Sequence, residues 1–159
     1  MADPSLLVTG RHFGREGHRG VMPVMQELVQ SARDEVHVMA YVITRQASPL
    51  LNDIERALER GVKVTLVLNV IPGQPIELAA ELGRLSATFP HAIIRYFNEA
   101  DGSQLHAKVL VADRDTAVVG SANYTWGGLV ANHEIGVVCS GRPAWELALL
   151  TDKLAHVDV

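Results

Sequence analysis

An α/β fold is predicted, with a mixed sheet at its centre and helices packed on both faces. Two observations predict it. Between residues 21 and 98, runs with apolar residues at helical spacing alternate with short β-branched runs, the pattern of strand–helix–strand units. From residue 105 the pattern changes to strands joined by hairpin-length connections, which add antiparallel pairs to that core.

The elements follow in order. "VMPVMQELVQSAR" (21–33) has apolar residues at helical spacing, and Pro23 is tolerable in a first turn. "EVHVMAYVIT" (35–44) is β-rich and reads as a buried strand. "SPLLNDIERALERG" (48–61) is a helix in which Ser48 suits the cap, Pro49 the first position and Gly61 the stop. "VKVTLVLNV" (62–70) is the next strand, "PIELAAELGRLSA" (75–87) a helix and "AIIRYFN" (92–98) a strand. "LHAKVLVAD" (105–113) and "TAVVGSA" (116–122) are two strands connected by Arg114 and Asp115. "NHEIGVVCSG" (132–141) is a further strand, and "PAWELALLTDKLAHV" (143–157) a closing helix with Pro143 near its start.

A length of 159 residues suits one domain with a real core, so residues 1–159 read as a single unit. No apolar stretch approaches the ~20 residues that span a bilayer. The opening "MADPSLLVTGRH" lacks the basic and long apolar regions of a secretory leader, which leans toward a cytoplasmic protein. The single Cys139 excludes an internal disulfide framework and a Cys-based zinc site, and packing in the core is expected of it. Net charge is −4, which argues against a sequence-independent nucleic-acid binder of strongly basic type. A local patch stays open: "RHFGREGHRG" (11–20) sets Arg11, Arg15 and Arg19 among glycines, either as a solvated loop or as an arm that touches phosphates.

Lys108 is the anomaly. The chain holds three lysines, and this one stands inside an aliphatic strand, where an ammonium needs a partner. Strand periodicity puts His106 on the same face as Lys108, two residues apart, and turns Asp113 away from both. Asp113 therefore reads as fixing the hairpin or a distant contact. The returning strand ends in "GSAN": Gly120 permits close approach, while Ser121 and Asn123 bring neutral polar groups back toward His106. Histidine, lysine and amide together suit a phosphate. Lys108 supplies charge, Asn123 and Ser121 hydrogen bonds, and His106 a nucleophile or proton carrier. Ser121 suits capping of the following segment equally well. Tyr124 and Trp126 suit either packing of the turn or stacking on a base. No acidic cluster accompanies His106, and lysine is a poor metal ligand, so neither a metal nor another cofactor is expected.

His106, Lys108, Asp113, Gly120, Ser121 and Asn123 stand at the spacing H-x-K-x4-D-x6-G-S-x-N, which resembles the motif of the phospholipase D superfamily. The stretch "NYTWGGLVANHE" (123–134) is similar to the family's approach to a supporting glutamate, here Glu134. The resemblance implies an α-β-α sandwich and a metal-independent phosphodiesterase working through a phosphohistidine. It implies catalytic roles for His106, Lys108 and Glu134, the last receiving a ring N–H from histidine. It further implies phosphate contacts from Lys108, Ser121 and Asn123, with Asp113 and Gly120 structural. A histidine attacking phosphorus cannot in that step protonate the leaving oxygen, and no other histidine has a lysine two residues on. The chain thus resembles the family's small single-motif bacterial endonucleases, which are homodimers with the site on the twofold axis. A nuclease without membrane insertion is the expected function. A phospholipid diester as substrate, or a non-catalytic phosphate-binding or assembly module, are the rival expectations.

Overall fold

The computed structural model describes residues 3–14, 17–69 and 76–156. Of the stretches quoted above, Met1, Ala2, Arg15, Glu16, Val70, Pro75 and Val157 lie outside them. The chain order is β1 (Ser5–Val8), β2 (Arg19–Gly20), α1 (Val21–Ser31), β3 (Glu35–Ala40), α2 (Ser48–Glu59), β4 (Lys63–Asn69), α3 (Ile76–Thr88), β5 (Ala92–Phe97), β6 (Lys108–Ala112), β7 (Thr116–Gly120), β8 (Ile135–Ser140) and α4 (Arg142–Ala155). The strands form one mixed sheet in the order β2-β1-β8-β7-β6-β3-β4-β5. Strands β3, β4 and β5 run parallel, as their connection through α2 and α3 requires. Strand β6 enters antiparallel to β3, and β7 and β8 continue as antiparallel neighbours.

One face of the sheet packs on α1, α2 and α3 through Met25, Val29, Leu50, Leu58, Leu66, Leu82 and Leu110. The other packs on α4 through Met39, Val67, Val109, Val111, Ala144 and Ala148. Small residues on α4 let it lie close against the sheet. It is also tied down electrostatically: Arg114 binds both Glu35 and Asp152, and His37, only 1% exposed, meets Asp152 at 3.0 Å. Desolvation holds His37 below the usual histidine range despite the attraction of Asp152 and Glu35. No helix among the described residues is long and apolar enough to cross a membrane.

Several element ends differ from the sequence reading. Strand β3 stops at Ala40, and Tyr41–Thr44 bends away to meet Tyr124, with backbone hydrogen bonds from Tyr124 to Val42 and from Thr44 to Tyr124. Ser48 does not cap α2; a 3-10 turn at Arg45–Ala47 runs straight into the helix, so Ala47 occupies the cap position. Strand β6 begins at Lys108, which leaves His106 just ahead of it, and β8 begins at Ile135, which leaves Glu134 just ahead of that strand. Asp113 belongs to the hairpin connection rather than to β6. It and Arg114 adopt φ of 51° and 53°, a region in which aspartate is enriched among non-glycine residues. The short strands β1 and β2 were not anticipated.

Candidate active site

The site forms where the β6–β7 hairpin opens. Lys108 faces Ala40 across the β3–β6 ladder, and Val109 faces Val119 across the next, so Gly120 stands level with Lys108. From Gly120 the chain crosses the head of β6 and reaches the end of β3, where Tyr124 bonds to Val42. The GSAN segment is thereby carried over the end of the sheet at which His106 lies. Its course depends on two close approaches. A Cβ on Gly120 would stand 2.8 Å from the Ile135 carbonyl oxygen, and one on Gly128 would stand 2.2 Å from the Asn123 carbonyl oxygen. Tyr124 packs the turn rather than offering its ring to a base: it is 2% exposed and donates its hydroxyl to the Val109 carbonyl at 2.8 Å. Trp126 stays 58% exposed.

Lys108 is 8% exposed. Its ammonium donates to the His106 carbonyl at 2.7 Å and lies 2.9 Å from His106 Nδ1. The side chains at positions 106 and 108 thus share one face, as strand periodicity requires. Tyr41 completes the group: its ring centroid is 4.5 Å from that of His106 and 5.2 Å from the Lys108 ammonium. Among the described residues no carboxylate pairs with Lys108 at salt-bridge distance. Burial pushes its ammonium below the usual lysine range, and the charge of Glu134 pulls only partly back.

Glu134 accepts a short hydrogen bond from the Ser121 hydroxyl, and Asn132 Nδ2 lies 3.5 Å from its other oxygen. Among the described residues no hydrogen bond joins Glu134 to His106; the Ser121 hydroxyl holds the Glu134 carboxylate instead. Asn123 is half-buried; its Oδ1 is buried and makes no hydrogen bond among the described residues. Asp113 lies at the far end of β6. Its carboxylate accepts the backbone N–H groups of Arg33, Asp34 and Glu35 at 2.8–3.2 Å, joining the hairpin to the start of β3. Burial would raise that carboxyl, yet the three donors win and hold it below the usual range.

The structure therefore gathers His106, Lys108 and, unforeseen, Tyr41, with Ser121, Asn123 and Glu134 on the segments that lead over the same end of the sheet. Sequence reasoning passed over Tyr41 because an aromatic at the end of an apolar run reads as core. The available signal was its place, one residue beyond the last β3 residue paired to Lys108. Among the described residues no three His, Cys, Asp or Glu side chains gather into a metal-binding group. Chemically, a nearly buried ammonium beside an imidazole is an anion-binding arrangement equipped with a nucleophile or proton carrier.

Comparison with known proteins bears on the family. Residues 25–154 match the family described as "Cardiolipin synthase, PLD-like domain". The chain is 31% identical over 128 residues to the DISARM protein DrmC of Bacillus paralicheniformis, covering 78% of this chain and 51% of that protein. It is 33% identical over 117 residues to cardiolipin synthase A of Pseudomonas aeruginosa, covering 70% of this chain and 22% of that protein. The chain thus spans about half or less of these relatives. In fold it is similar to Nuc, a phospholipase D family member from Salmonella typhimurium, with TM-score 0.74, 23% identity and coverage of 96% and 94% of the two chains. NucT from Helicobacter pylori gives the same TM-score at 18% identity and the same coverage. With the motif filled, the family match running over most of the chain and the fold shared, the chain belongs to the phospholipase D superfamily, in its PLD-like phosphodiesterase family.

Proposed function

We propose that the protein is a nuclease: a phosphodiesterase that forms a phosphohistidine on His106 in a site completed by a second copy of the chain. The observation that carries the chemistry is Lys108, a nearly buried ammonium paired with neutral acceptors of His106 and with no carboxylate at contact distance among the described residues. A phosphodiester anion supplies the missing charge. In the first step a ring nitrogen of His106 bonds to phosphorus, the bond to the leaving oxygen breaks, and that oxygen takes a proton from the second histidine. In the next step that histidine removes a proton from water, which attacks phosphorus and frees His106. Lys108 and the amide of Asn123 hold the non-bridging oxygens.

Support for the second copy comes from several features. There is one His-x-Lys per chain. Glu134 is committed to Ser121 and does not reach His106 in its own chain, so under this reading the carboxylate that steadies each imidazole comes from the other subunit. A row of apolar side chains, Leu6, Val137 and Val119, is aligned by register across β1, β8 and β7 and remains partly exposed. It borders the strand ends that carry Ser121 and Glu134, and a second chain would cover it. Similarity to cardiolipin synthase A supports a phospholipid diester as the second reading of the substrate, and the net charge of −4 weighs against a polyanionic nucleic acid.

The test is turnover of bis(p-nitrophenyl) phosphate in excess chelator, beside single- and double-stranded DNA and vesicles of phosphatidylglycerol. Chelator-resistant turnover with cleavage of DNA and not of lipid is expected. Loss of activity in chelator, restored by a divalent ion, overturns the metal-free mechanism. Cleavage of lipid alone moves the substrate to the second reading, and a folded dimer inert on every diester would make the domain a binding module.

A further inference from the structure

We infer that the turn Gly10–Gly14, resting on residues 132 and 133, is a stacking subsite for an unpaired base of a single-stranded nucleic acid. The inference rests on the nuclease reading and narrows its substrate to single strands.

The turn is fastened beside the site. Thr9 donates its N–H to the Glu134 carbonyl at 3.0 Å and its hydroxyl to the Asn132 carbonyl at 2.7 Å. Gly10 has φ +92° and lies so close to the chain beneath that a Cβ would stand 2.8 Å from the Asn132 oxygen and 2.9 Å from His133 Cα. No other residue allows that contact without strain. The turn closes on itself through N–H groups of Phe13 and Gly14 donating to the Gly10 carbonyl. It thereby delivers rings to one place: His12 stacks on His133 at 5.0 Å and 24°, and Phe13 meets His133 edge-on at 5.2 Å. His133 is the immediate neighbour of Glu134. His12, His133 and Arg11 are exposed, Phe13 half-buried.

The chemistry selects among ligands. Arg11 is the one permanent cation of the turn, and rings packed against one another, phenyl included, suit a flat ligand better than a phosphate. A metal would need imidazole nitrogens, yet His133 Nε2 accepts the backbone N–H of His12 at 3.3 Å. A base offers a flat apolar face to any ring it meets, and imidazole, phenyl and guanidinium planes are all partners of that kind. In a duplex both faces of each base are already covered, so only an unpaired base can use the platform. A cavity of about 360 Å³, walled by Val8, Thr9, Gly10, Leu129 and Val130, opens beneath the same turn. Its size is at the lower end for small-molecule sites.

The experiment uses full-length His106→Ala protein, so that ligands are bound without being cut, and fluorescence anisotropy as readout. The probes are a labelled oligothymidylate, an abasic oligomer with the same number of phosphates, a hairpin duplex closed by an abasic loop and phosphatidylglycerol vesicles. The oligothymidylate is expected to bind roughly tenfold more tightly than the abasic oligomer. Adding His12→Ala or Phe13→Ala should erase most of that preference, while His12→Phe and Phe13→Tyr, which keep a ring, should retain it. Equal binding of base-bearing and abasic oligomers, or loss of preference in His12→Phe as complete as in His12→Ala, overturns the subsite while leaving the nuclease reading intact. Duplex bound as tightly as single strands also overturns it. Failure to bind any oligomer, with vesicles bound instead, overturns the subsite and the nuclease reading together.

Discussion

At the scale of single residues, the site is defined by what Lys108 lacks. A buried ammonium surrounded by neutral acceptors is unfavourable by itself. Its lowered pKa expresses this, with burial as the first cause and Glu134 opposing it. Two consequences of opposite sign follow. Phosphate binding needs the charged form, so activity should fall as pH rises through a value below the ~10.4 of ordinary lysine. In the same window the unfolded chain binds more protons than the folded one, so Lys108's own contribution to stability should rise with pH. Glu134→Gln removes the charge that raises the Lys108 pKa, and the alkaline limb of the rate profile should move to lower pH. A limb that stays in place, measured on bis(p-nitrophenyl) phosphate, would separate Lys108 from that limb. His106→Ala should lower turnover by several orders of magnitude with an unchanged melting curve. His106→Asn should match it, because an amide cannot carry the phosphoryl group; near-normal rates in either clean variant would remove His106 from the nucleophile's role. The His106–Lys108 pair could be read in the sequence because period-two geometry puts both on one face. Tyr41 and His133 could not. Tyr41 reaches the site only because β3 ends where it does, and His133 acquires its ring partners from a turn more than a hundred residues away.

At the scale of elements, the site depends on backbones lying unusually close. Gly120 lets β8 approach the end of β7, and Gly128 lets the turn Gly127–Ala131 press against Asn123. Overpacking of this kind typically costs ~1–3 kcal/mol, so Gly120→Ala and Gly128→Ala should each lower the urea midpoint by a corresponding amount. Gly128→Ala should also reduce turnover, since the atoms it strikes belong to Asn123. Gly83→Ala in α3 is the control. Its Cβ would meet open space, and alanine suits a helix better, so the midpoint should hold or rise. A Gly128→Ala protein with wild-type midpoint and rate would show that the contact relaxes freely. The parallel half of the sheet could be read because α2, β4 and β5 follow strong local periodicity. Strand β1 could not: its four residues are too few to show a period, and its partner β8 lies at the other end of the chain. The heads of β6 and β8 were overextended because His106 and Glu134 continue the strands in sequence but face the site rather than a pairing neighbour.

At the scale of the whole molecule, activity depends on how many active sites a given number of chains can make. With one His-x-Lys per chain, a complete cycle under the proposed mechanism needs two chains, each bringing His106, Lys108 and Asn123 to one phosphate. One His106 attacks while the other protonates the leaving oxygen, so a site with a single histidine stalls at one step or the other. Mixing His106→Ala chains with wild type, and letting subunits exchange, distinguishes shared from independent sites. If chains pair at random and the site is shared, activity follows the fraction of wild-type pairs, which is the square of the wild-type fraction. If each chain holds its own site, activity falls in direct proportion. Exchange is verified by tagging one population and recovering mixed pairs. The same logic applies to dilution: as concentration drops below the dissociation constant of the pair, specific activity should fall together with the fraction paired. A proportional response with exchange verified, or full specific activity from monomers, would place a complete catalytic cycle within one chain. Glu134 and Ser121 would then have to rearrange to bring a second proton carrier to His106.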